Sequence, residues 1–122
     1  MRAIRLKKPG GLDNLELVEV DSVEPQYGEI RISNRASSLN FHDYVVAIGL
    51  LPVDDGRIPM SDGAGIVEAV GPGVTQFQPG DQVVSCFFPH WTDGRADNLS
   101  KVSGVPGDHV DGFASETVTM SA

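Results

Sequence analysis

Segment 58–84, IPMSDGAGIVEAVGPGVTQFQPGDQVV, constrains the fold more than any other part of this chain, because Gly63, Gly65, Gly71, Gly73 and Gly80 space it into a strand, turn, strand pattern. Residues 65–70 and 82–87 read as the strands. Between them Gln78-Pro79-Gly80-Asp81 suits a type II turn: proline presets the first central dihedral and glycine accepts the positive one that follows. The triplet Gly63-Ala64-Gly65 does not open a phosphate-binding fingerprint. Glu68 stands where a third glycine would be needed, and 65–70 has the pattern of a strand, not of a helix start.

The same β-type alternation recurs at 2–6, 15–20 and 29–33, where Ile30 and Ile32 alternate with polar neighbours, and a last strand rich in Val and Thr spans 112–120. One helix is expected over 41–48. Asn40 can cap it, Asp43 places a charge at its positive end, and Gly49 can close it in the left-handed conformation. Phe41, Tyr44, Val45 and Ile48 then share one apolar face that should pack on the sheet, so Tyr44 is expected mainly in packing. Residues 91–111 lack periodicity, and a loop of that length inside a small domain is functional, mobile or dependent on a neighbour.

With 122 residues the chain fits a single domain with one core. Its single cysteine, Cys86, rules out an intrachain disulfide and any multi-cysteine zinc knuckle and favours a reducing, cytoplasmic setting. The net charge of −8, from 17 acidic and 9 basic residues, argues against nucleic acid and anionic lipid as partners. No run approaches the roughly 20 apolar residues of a membrane-spanning helix.

In its glycine spacing, segment 58–84 resembles the signature of the GroES-like catalytic domain of the medium-chain dehydrogenase/reductase superfamily: Gly-His-Glu, two residues, Gly, five residues, Gly or Ala, two residues, a small apolar residue. Gly65, Gly71 and Val74 fall on it in register, while Met60, Ser61 and Asp62 stand in place of Gly-His-Glu. The segment Ser37-Ser38-Leu39-Asn40-Phe41-His42-Asp43-Tyr44 is similar to the one that carries Gly-x-Cys-His-Thr-Asp in zinc alcohol dehydrogenases and Asn-x-x-Asp in quinone oxidoreductases. Aligned on Asp43, Asn40 takes the position of the zinc cysteine, Ser61 that of the zinc histidine and Asp62 that of its neighbouring glutamate.

The resemblance implies a mainly β fold, a partly open GroES-like barrel with one or two short helices, covering residues 1–122 as one domain. An amide and a hydroxyl are poor zinc ligands, and 85–111 holds only Cys86 where a structural-zinc lobe needs four cysteines, so no zinc is expected at either place. What remains is similar to the zinc-independent, quinone oxidoreductase-like branch. Its activity would be hydride transfer from NADP(H) or NAD(H) to a small apolar quinone, enone, aldehyde or ketone. The doubly wound (Rossmann) cofactor domain of such enzymes has no counterpart here. The isolated chain is therefore expected to bind no cofactor, to be inactive alone, and to expose apolar surface through which it self-associates.

Candidate catalytic residues are Asn40, His42 and Asp43. His42 falls where zinc-bearing relatives begin a proton relay, and an imidazole with an ordinary pKa of about 6.5 can pass a proton near neutral pH; a solvated histidine on the helix is the plainer alternative. Asn40 can cap the helix, orient a substrate oxygen, or do both, and Asp43 can support helix and loop or serve as an acid or base. Tyr44, Ser61, Asp62, Phe87, Phe88 and Trp91 are the candidate pocket residues. The cluster of Cys86, Phe87, Phe88 and Trp91 fits an apolar pocket, core, or a covered interface equally well, and His90 and His109 read as solvated. Two other functions stay open: a stand-alone binding or assembly module that uses the barrel without redox chemistry, and a zinc alcohol dehydrogenase with displaced ligands.

Overall fold

The computed structural model describes residues 1–122. Strands β1 (Arg2–Leu6) and β2 (Leu15–Glu19) pair as an antiparallel hairpin. Strands β3 (Glu29–Ser38), β4 (Asp62–Val70), β5 (Gln82–Val84) and β6 (Thr117–Ser121) form a second antiparallel sheet in the order β5-β4-β3-β6, and helix α1 (Phe41–Ala47) joins β3 to β4. The hairpin is stitched to the rest through Ile4 N–H on Ala114 O and Leu6 N–H on Arg57 O, both at 2.8 Å. The result is the mainly β, partly open barrel that the family resemblance implies.

The alternation read from β3 is the alternation observed: Ile30 and Ile32 point inward, meet Val67 of β4, and carry Val70, Val74, Phe77, Val83 and Met120 against them. Each aliphatic side chain buried in this way contributes about 1.5–3 kcal/mol. The signature glycines act here through close approach. A Cβ on Gly65 would lie 2.2 Å from Ser33 O of the neighbouring strand, and one on Gly71, just past β4, 1.8 Å from Gln26 O in the segment before β3, so neither approach leaves room for a side chain. The turn between β4 and β5 closes with Asp81 N–H on Gln78 O at 3.1 Å.

Several boundaries differ from the sequence expectation. β5 stops at Val84 instead of continuing to 87: Ser85 N–H still reaches Gly63 O at 2.9 Å, and then the chain turns off into a row of aromatic residues. β6 starts at Thr117 instead of 112, because Gly112, Phe113 and Ala114 donate to Ile58, Met60 and Pro59, an irregular segment that offers no ladder to extend. Within 91–111 a short 3-10 turn forms at Leu99–Val102, and Pro106 bridges to Val110.

The buried face of α1 is also not the expected one. Asp43, Val46 and Ala47 are buried, whereas Phe41 is 80% and Tyr44 50% exposed, their rings paired at 6.2 Å on the outside. The reason is polar. The Asp43 carboxylate accepts from two backbone N–H groups in the interior, and that anchor turns the stripe 43, 46, 47 inward and the stripe 41, 44 outward. Tyr44 therefore does not serve in core packing.

Candidate substrate site

The start of α1, the residues leading into β4, and the turn 105–109 converge at one end of the barrel. Asn40 is the extended residue that precedes the helix, and Asp43 completes a capping box with it: Asp43 Oδ2 accepts from Asn40 N–H at 2.8 Å. The other carboxylate oxygen, Oδ1, accepts from Ser61 N–H at 2.8 Å. One buried carboxylate thus fixes the first turn of the helix to the chain that enters β4. Met60, the single non-glycine residue with positive φ (+81°), lies directly before Ser61 and is held there by Phe113 N–H on its carbonyl at 2.9 Å. A strained residue of this kind persists where its neighbours over-determine it.

The Asn40 carboxamide nitrogen sits between the two other residues of interest, donating to Ser61 Oγ at 3.0 Å and to Asp62 Oδ2 at 2.7 Å. Asn40, Ser61 and Asp62, distant in sequence, therefore form one hydrogen-bonded cluster. As a metal site the cluster does not fit. An amide NH2 offers a cation no lone pair, the hydroxyl and the carboxylate oxygen beside it already accept its protons, and no group of three His, Cys, Asp or Glu side chains converges here. Ser61 is 0% exposed, so it supports Asn40 from within and presents nothing to a pocket; Asn40 and Asp62 are partly exposed.

His42 is half-buried, not on a solvated polar face. Its imidazole meets the edge of Phe87 at 5.4 Å, Phe87 meets Phe88 at 4.8 Å, and Phe88 meets Trp91 at 5.9 Å. The aromatic residues expected to wall a pocket thus form a continuous row that begins at the histidine expected to carry protons. Cys86 departs from this row and lines an open apolar cavity of about 400 Å³ with Ile30, Ile32, Phe77, Val83 and Met120. His90 and His109 are exposed, as the sequence reading expects. Two features had no signal in the sequence: the burial of Ser61, and the placement of Asp108 with its Oδ2 3.5 Å from His42 Nε2.

Beyond the geometry, known proteins place the chain. The family model of the alcohol dehydrogenase GroES-like domain matches residues 26–122, and the chain belongs to that family, within the medium-chain dehydrogenase/reductase superfamily. A thermostable alcohol dehydrogenase from Pyrobaculum aerophilum is 33% identical, with a TM-score of 0.83 over 100% of this chain and 39% of its own length. Quinone oxidoreductase from Escherichia coli, solved with NADPH, is 26% identical, with a TM-score of 0.75 over 99% of this chain and 31% of its own. A mycocerosic acid synthase-like polyketide synthase of Mycolicibacterium smegmatis is 45% identical over 80 residues, 64% of this chain and 4% of that protein. The chain therefore spans well under half the length of the proteins it matches.

Proposed function

We propose that this chain is the substrate-side domain of a zinc-independent, NAD(P)H-dependent oxidoreductase that reduces a small apolar quinone, enone, aldehyde or ketone. The observation that carries the reading is the Asn40–Ser61–Asp62 cluster: where zinc-dependent relatives would hold a metal, an amide donor is bonded to a hydroxyl and a carboxylate. The likeness to a quinone oxidoreductase bound to NADPH supports the choice of reaction.

In this reading the nicotinamide, carried by a Rossmann domain outside these 122 residues, supplies the hydride when bound. The chain's own residues do the rest. The row Phe87, Phe88 and Trp91 seats the apolar body of the substrate, Asn40 and Asp62 border its polar end, and His42 holds the proton that the reduced oxygen takes. Asp43 and Ser61 act through Asn40 by fixing its position. The setting is cytoplasmic, and no helix is long and apolar enough to cross a membrane.

A second reading, a binding or assembly module without redox chemistry, is favoured by the exposed apolar residues around α1, among them Leu39 at 79% and Leu50 at 71%. One experiment separates the readings. Trp91 is the only tryptophan in the chain and ends the aromatic row, so its fluorescence reports on that wall. The protein is purified without chelator, assayed for zinc and for oligomeric state by light scattering, and titrated with cyclohexenone and then NADPH. Substoichiometric zinc with saturable quenching of Trp91 by the enone, and no micromolar NADPH binding, is the expected result. Stoichiometric zinc overturns the zinc-independent reading, and a fixed oligomer indifferent to enone and NADPH favours the assembly module.

A further inference from the structure

His42 carries an unexplained feature. Of its two ring nitrogens, Nε2 is buried without a hydrogen-bond partner, and a buried polar atom left unpaired is costly. The group that faces it is Asp108 Oδ2, at 3.5 Å, within ion-pair reach but longer than a formed hydrogen bond. Both side chains are largely shielded from solvent, with 23% of the imidazole and 17% of the aspartate exposed.

Asp108 is not on a loose loop. It sits in a tight turn closed by Gly107 N–H on Val110 O at 2.8 Å and His109 N–H on Val105 O at 3.0 Å. The turn lies against the backbone that leads into Ser61: Gly107 has φ +82°, and a Cβ there would come within 2.7 Å of Met60 N. The segment that carries Asp108 is thus seated on the segment that carries Ser61 and Asp62.

No other ionisable group competes for the role. Asp43 gives both oxygens to the N–H groups of Asn40 and Ser61, and Asp62 accepts from the Asn40 carboxamide. His109 Nδ1 lies 3.7 Å from Asp108 Oδ2 but accepts Val105 N–H at 3.2 Å, so in the neutral ring it has no proton there to donate. The Asp108 carboxylate accepts no formed hydrogen bond, and the cationic side chains within ion-pair reach of it are these two imidazoles.

We propose that Asp108 is the positioning residue of His42: its carboxylate accepts a hydrogen bond from Nε2–H, fixes the ring in that tautomer, and leaves Nδ1 as the nitrogen that exchanges a proton with substrate. This rests on the reading of His42 as the proton-carrying residue. In the reductive direction the imidazolium gives its Nδ1 proton to the substrate oxygen, which carries the negative charge (alkoxide, enolate or phenolate) once the substrate has taken hydride from the nicotinamide. The ring becomes neutral and keeps Nε2–H on Asp108.

The test is a long-range ¹H–¹⁵N spectrum of the chain with ¹⁵N-labelled histidine, recorded in alkaline buffer so that the tautomer of a neutral ring is read. His42 is expected as the Nε2–H tautomer alone; an Nδ1–H ring overturns the proposal with no variant needed. In Asp108→Leu, which keeps the bulk and removes the acceptor, the two tautomers are expected to mix, with His90 signals unchanged; Asp108→Glu should restore the single form. An unaltered His42 tautomer in Asp108→Leu also overturns it. Because the readout is the ring and not turnover, its failure is separate from a failure of the oxidoreductase reading.

Discussion

Asp43 shows how much one side chain can organise here. It is 3% exposed, and its two oxygens are taken by two backbone N–H groups 21 residues apart, Asn40 and Ser61. Each is a charge-assisted bond in a dry setting, which puts it among the stronger hydrogen bonds of a protein. Asp43→Ala leaves the Ser61 N–H buried and unpaired, and we expect a loss of about 2–4 kcal/mol in urea unfolding. Asn40 should lose its fixed orientation in the same variant, visible as exchange broadening of its side-chain amide signals. Half of this was legible beforehand: the spacing of Asn40 and Asp43 announces a helix start. The other half was not, because nothing local marks Ser61 as the recipient of the second oxygen.

Helix α1 carries the clearest departure from pattern reading. By spacing, Phe41, Tyr44, Val45 and Ile48 form the largest apolar stripe, and a seven-residue helix with that stripe should bury it. The helix buries Val46 and Ala47 beside Asp43 instead. A short helix has little apolar area with which to choose its own rotation, so a pair of strong polar bonds at its first turn outweighs the exposure of two aromatic rings. The two faces should therefore respond in opposite ways to substitution. Val46→Ala, at 1% exposure, is expected to cost about 2 kcal/mol in denaturant unfolding. Tyr44→Ser should change stability by less than about 0.5 kcal/mol, as substitutions at exposed sites do. A larger loss at Tyr44 than at Val46 would mean that the stripe read from the sequence is the buried one after all.

The two ends of the chain meet across the whole domain, and the contact that records this is Arg2 with Glu116. Arg2 N–H donates to Glu116 Oε2 and Arg2 Nε to Glu116 Oε1, each at 2.8 Å, which closes the β1–β2 hairpin onto the approach to β6. The backbone N–H of Arg2 first, and then its side chain, hold the Glu116 carboxyl below its ordinary value of 4.5. A carboxyl lowered in the folded state adds stability that is present above that ordinary value and is lost as pH falls through the lower folded one. Wild type is therefore expected to lose stability more steeply than Glu116→Gln over this acid range, with the two curves converging below it. Urea midpoints followed downward from about pH 6 check this, and parallel curves would remove the contact from the acid response. Both residues are exposed, so the effect is modest, and salt should reduce it.

From the sequence alone came the class of fold, the alternating strands of the core, the turn at Gln78–Asp81 and the family. Each of these is written in local spacing: inward and outward residues with a period of two, glycines where a neighbouring carbonyl comes too close for a side chain, proline and glycine at a turn. Tertiary structure alone decided which face of α1 is buried, that Ser61 is interior, that 112–114 pair with 58–60 instead of extending β6, and that Asp108 faces His42. These depend on pairings across 18 to more than 60 positions of chain, set by where buried hydrogen-bond donors find acceptors. No local pattern encodes which distant acceptor a donor will meet, and that is why the candidate residues could be read from the sequence while the contacts among them could not.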